Sequence, residues 1–238
     1  MKRKVFLFLI FICLILTNCS LEKIIANKLS ESIGTDAAII FTGDEDPELI
    51  GDAFPVILKI YELLIQMSPE NRELLLTTGQ SFAMYAYAFV QLPAEMLPDE
   101  EFEETVIMIK RAKNLYIRGR NYILKALELK YPEFSDYITT PDWESTVELT
   151  DIEDVPYLYW AGMAWMGAFS VDPWDAGLNA TKKRAIAFMF KVMELDETFD
   201  NGGVHNFFLA FYGALPEAMG GNEEKARYHF VYSRALSK

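Results

Sequence analysis

Cysteine and histidine are the scarce residues of this chain, two of each in 238 positions. Both cysteines, Cys13 and Cys19, fall within the first nineteen residues. The remainder has no disulfide, no thiolate metal ligand and no cysteine nucleophile, so its stability rests on packing. His205 and His229 lie far apart in sequence with no thiol to join them, which is no convincing metal-ligand set. A Gly-x-Ser-x-Gly elbow and a glycine-rich phosphate loop are missing too. The acids Asp44, Glu45, Asp46 and Glu48 lack the spaced oxygen ligands of a calcium loop. The chain is therefore expected not to be an enzyme, and to need no cofactor and no metal. Sustained period-2 alternation is absent, and the one Asn-Gly pair, Asn201-Gly202, follows a helical stretch instead of joining two apolar runs. The fold class expected is all-α. Basic residues are few, 22 Lys and Arg against 35 Asp and Glu, for a net charge of −13. Such a chain is a poor partner for nucleic acid, or for anionic lipid held by charge.

What is present begins at the N-terminus. Lys2, Arg3 and Lys4 precede an apolar run from Val5 to Leu16. At about 12 residues the run is too short to span a bilayer, which takes about 20. A cationic start and a short apolar core have the layout of a secretory signal peptide over residues 1–18. The closing residues Leu16-Thr17-Asn18-Cys19 resemble the lipobox of bacterial lipoproteins. That resemblance implies cleavage before Cys19 and diacylglycerol on its sulfur. Lipidation at Cys19 would hold the protein on the periplasmic side of a bacterial membrane by its acyl chains. Cleavage would remove three cations and no acid, so the mature chain is still more acidic.

Residues 19–45 read as a tether, with a short amphipathic helix from Leu21 to Ile33, and residues 46–238 as a helical domain. Asp46-Pro47-Glu48 has an N-cap, a proline at the first helical position and an acid in the first turn. Ser68-Pro69-Glu70, Thr140-Pro141-Asp142 and Gly220-Gly221-Asn222 mark further breaks and restarts. The longest helix opens on Asp99, Glu100, Glu101, Glu103 and Glu104, which suit the positive end of its dipole. Its middle carries Lys110, Arg111, Lys113, Arg118 and Arg120, with Lys110 and Arg111 as expected partners for Glu103 and Glu104. Residues 81–90, 155–171 and 203–216 carry almost nothing but apolar and small side chains. A helix apolar all round is buried all round.

Each of these inner helices precedes a charged, amphipathic one: residues 118–132, 182–199 and 221–236. The outer helices share small residues followed by large ones, as in Ala185 and Met189, or Ala226 and Phe230. Lys125-Ala126-Leu127-Glu128-Leu129 before Pro132 resembles the second helix of a tetratricopeptide repeat. Gly79, Gly162 and Gly213 stand at the matching place on the inner helices. The fold implied is an α-solenoid of degenerate tetratricopeptide-like helical hairpins, with an insert around residues 92–112 in its first unit. The chain stops at Lys238 on a repeat helix, where a solenoid normally has a polar cap, so further sequence or a neighbouring subunit is expected to cover that end.

A lipoprotein signal, a three-unit helical repeat and the stretch Asn201-Gly202-Gly203-Val204-His205 before an aromatic helix together resemble the T-component lipoproteins of tripartite ATP-independent periplasmic (TRAP) transporters. The resemblance implies a periplasmic, all-helical, trimeric accessory protein. It also implies docking of the extracytoplasmic solute-binding protein and passage of a hydrophobic ligand toward the transporter. An alternative is a general scaffold lipoprotein in envelope assembly. The aromatic surplus on the inner helices suggests a ligand or partner cleft lined by Tyr85, Trp160, Trp165, Phe208 and Tyr212. His205, following two glycines near a helix start, is a further ligand candidate.

Overall fold

The computed structural model describes residues 23–29, 43–137 and 139–237. The segment expected to be a signal peptide, Cys19 and most of the expected tether lie outside the described residues; residues 23–29 are helical. Among the described residues there is no strand, and none of the helices is long and apolar enough to cross a membrane. The all-α expectation holds. The chain divides into two compact units, residues 1–78 and 79–238.

In the first unit, helix α1 (Pro47–Met67) starts as its sequence directs: the Asp46 carboxylate accepts from the Leu49 amide at 3.0 Å. Ile50, Phe54, Leu58, Tyr61, Leu64 and Ile65 form its buried stripe at the three-four spacing of an amphipathic helix. The Ser68-Pro69 break ends it, and α2 (Arg72–Ala86) carries the chain into the second unit.

The second unit continues through a π-helical turn (Tyr87–Gln91) and the short α3 (Leu92–Glu95) to α4 (Phe102–Lys130), α5 (Trp143–Val147), α6 (Val155–Val171), α7 (Ala176–Asp196), α8 (Phe199–Ala214) and α9 (Glu223–Leu236). The insert expected around residues 92–112 is for the most part the first third of α4. Glu103 and Glu104 sit in the first turn of α4 as expected, but its middle cations reach other helices. Lys113 bonds Asp172 at 2.8 Å and Asp175 at 3.1 Å, and Arg111 donates to the Tyr85 hydroxyl at 3.2 Å. Cross-helix partners win because they lie broadside to the lysine and arginine stems, whereas Glu103 and Glu104 are two turns away along the axis.

Helix α6 packs against both α4 and α7, which explains why it is apolar on every side. Ala161, Ala164, Trp165 and Ala168 are all closed off from solvent. The glycines expected on the inner helices do meet small residues of the outer ones. A Cβ on Gly79 would lie 2.5 Å from the Gly119 carbonyl, one on Gly162 would lie 3.4 Å from that of Ala185, and one on Gly213 would lie 3.8 Å from the Ala226 methyl. These approaches bring successive helix pairs close without fixing which repeat type they form.

Below α4, Lys130 ties the chain to the start of α6. Its ammonium lies 2.9 Å from Asp154, whose side chain is wholly buried, and 3.0 Å from Asp151. Burial disfavours the Lys130 cation, but bonds from Tyr131, Asp154 and Asp151 outweigh it and raise its pKa.

Candidate functional site

The densest set of unusual features lies where α7 gives way to α8 and along the α8–α9 pair. Asp200, Asn201 and Gly202 adopt left-handed backbone in succession, with φ of 52°, 54° and 76°. Asn and Asp tolerate this region better than other side chains, but each costs about 1 kcal/mol. The turn holds because it is clasped on two sides. The buried Tyr159 hydroxyl bonds Asp200 and abuts Gly203, where a Cβ would approach it to 2.5 Å. Leu236 presses on Gly202, where a Cβ would meet it at 2.7 Å. Burial, then the Asp200 charge and hydrogen bond, raise the Tyr159 pKa, so this phenol stays a neutral donor.

The turn delivers His205 into the interface of α8 with α9. Its Nδ1 lies 3.0 Å from Nδ1 of His229, so one ring donates a single shared proton and the other accepts it. His205 Nε2 is fully buried without a hydrogen-bond partner, 3.6 Å from the carboxylate of the half-exposed Glu197. Burial, then His205 and Lys225, lower the His229 pKa to about 4, so it is neutral at physiological pH. Aromatic rings enclose the pair: Tyr232 stacks on His205 at 5.3 Å, and Phe208 and Tyr212 stack on His229 at 5.1 and 5.8 Å. Tyr228 and Tyr232, with centroids 4.5 Å apart, close the outer side and are themselves half in solvent.

Of the residues read from the sequence, His205, Phe208 and Tyr212 meet in this cluster. Trp160 is adjacent in a different sense, packed edge-on against Tyr159 at 5.4 Å, the residue that clasps the turn. Trp165 belongs to another group, with Tyr137 and Phe188, and Tyr85 to a third, stacked on Phe89 at 5.7 Å. Trp165, Phe208, Tyr85 and Tyr212 are all buried, mostly against other rings. His229, Tyr228, Tyr232 and Glu197 complete the cluster without having been singled out for it. The three-four spacing of Tyr228 and Tyr232, and a histidine on each side of the Gly220-Gly221 break, were the signals available.

Among the described residues, no group of three His, Cys, Asp or Glu side chains could hold a metal ion. The arrangement offers a proton shared inside an aromatic cage beneath an exposed aromatic face.

Comparison with known proteins bears on what such a face serves. An uncharacterized protein of Treponema pallidum (strain Nichols) is 33% identical over 236 residues, covering 92% of this chain and 73% of that relative. The family model of the TRAP transporter T-component matches residues 43–238, the second unit and part of the first. The chain belongs to the TRAP transporter T-component family, whose members are accessory transporter components and not a known enzyme family.

Proposed function

We propose that this protein is a periplasmic, lipid-anchored accessory component of a TRAP-type uptake system that docks the solute-binding protein through the outer face of α9. Family membership supports a role in such a system. The observation that carries the docking reading is the composition of α9. Only Ala226, His229 and Ser233 form its buried stripe, whereas Tyr228, Phe230, Val231 and Tyr232 stand between 39% and 60% exposed. Large rings at a rim, anchored from below by buried partners, are the residues that dominate protein interfaces. The lipid on Cys19 would hold the protein at the membrane, where the solute-binding protein must deliver its cargo. A hydrophobic ligand fits the same reading: the rings of Phe208 and Tyr212 would take it as α9 parts from α8. A homotrimer is the assembly proposed.

A pull-down of residues 20–238 from the organism's own envelope extract tests the reading. Recovery of a periplasmic solute-binding protein that is lost with Val231→Glu supports it. Recovery of envelope-assembly proteins alone would replace it with the scaffold alternative.

A further inference from the structure

Three side chains mark the face that α4 turns to α6. Lys113 bonds Asp172 and Asp175 just past the end of α6. The Tyr116 ring lies 2.6 Å from where a Cβ on Gly167 would stand, and the Arg120 guanidinium sits 4.6 Å from the centre of the Trp165 ring. Their spacing of three and four is that of a helix-packing seam. Helix α6 ends at Val171, but the seam on α4 runs on. Along the same face, at steps of four, three and four before Lys113, come Ile109, Val106 and Phe102. Phe102 is 69% and Val106 49% exposed, and Ile109 is half-buried. The loop between α6 and α7 adds Trp174, 89% exposed. Lys113 pins that loop on both sides of the indole through Asp172 and Asp175, and Asp175 also accepts from the Leu178 amide at 2.9 Å. Large exposed rings on a fixed support are interface anchors.

One rim of this run is charged. Glu103 and Lys110 follow Phe102 and Ile109 by one residue each, and both are exposed. Neither makes an ion pair among the described residues. Along their own helix they stand seven residues and about 10 Å apart, too far to meet. Laid antiparallel against a second copy of itself, the same segment answers each of these groups. Packed knob into hole, Val106 of each copy faces Ile109 of the other, and Phe102 lies along the Lys113 stem beside the loop that carries Trp174. The same register sets Glu103 of each copy opposite Lys110 of the other. One register thus closes the apolar layers and two reciprocal ion pairs, as a self-complementary two-fold interface requires.

From this geometry we propose that the first three turns of α4, with Trp174, form a two-fold contact surface for a second copy of this chain. A two-fold contact cannot close a three-membered ring, so this surface is separate from the one a homotrimer would use. It involves no residue of α9 and does not depend on docking there.

The test is sedimentation velocity of residues 20–238, which contain every described residue, from low to high micromolar concentration. The mass should double from its dilute value, whatever number of copies that value represents. Glu103→Lys and Lys110→Glu each set like charges against one another, and each alone should weaken pairing at least about ten-fold. Mixed, the two variants should pair with each other, because every opposed couple is then a lysine against a glutamate. Val106→Asp should abolish pairing. All three positions are exposed, so the variants should keep the unmodified melting temperature. A mass that does not change with concentration would overturn the proposal. So would single charge variants that pair as the unmodified chain does, or a mixture that pairs no better than either variant alone. A rise to three copies that the variants leave unchanged would support the homotrimer and overturn the two-fold contact.

Discussion

A left-handed run of Asp200, Asn201 and Gly202 is tolerable only because Tyr159 and Leu236 fill the space around it. At Gly202 a side chain meets both a positive φ and the Leu236 methyl, so Gly202→Ala should cost about 2 kcal/mol or more, measured by urea unfolding. In the sequence Asn201-Gly202 stands only as a pair that follows a helical stretch. That Asp200 joins it was not legible, since an aspartate gives no sign of its φ until something clasps it. The same holds for the histidines. Their meeting depends on the register of α8 on α9, which spacing along one helix does not reveal. His229 makes a pH prediction with a definite sign. Its pKa is about 4 in the folded chain against an ordinary 6.5, so the unfolded chain binds the extra proton first. Its contribution to stability is complete above pH 6.5 and is lost as pH falls from 6.5 toward 4. Allowing for partial shielding, the loss is about 2 kcal/mol. Melting at pH 7.5 and 4.5 should show a smaller acid loss in His229→Gln than in the unmodified chain.

At the scale of elements, most of the architecture could be read in advance. Proline and glycine breaks, the acidic start of α4 and the all-apolar α6 each have a local physical cause. Residues 92–112, read as an insert, hold the short α3 and the first turns of α4, where Phe102, Val106 and Ile107 are exposed. Two contacts between elements can be tested. Asp154→Leu removes the buried acid that Lys130 and Tyr131 share, and should cost about 3 kcal/mol in chemical denaturation. Gly119→Leu would force α4 away from the Gly79 carbonyl, which lies 2.5 Å from any Cβ there. A loss of about 3 kcal/mol or more is expected, seen as a melting temperature lower by at least about 5 °C.

At the scale of the molecule, a predicted single cleft lined by five aromatics gives way to separate ring clusters, one of which carries an exposed face. Composition could show that aromatics were in surplus. It could not show how they divide, because that depends on which helices are neighbours. The proposed docking rests on family membership together with the unburied side of α9. Its most direct test is hydrogen–deuterium exchange of residues 20–238, alone and with a TRAP-type solute-binding protein from the same organism. Slowed exchange in residues 223–236 when the partner is present, absent in Val231→Glu, is the result predicted. No change anywhere at micromolar partner, or protection confined to other helices, would contradict docking through α9.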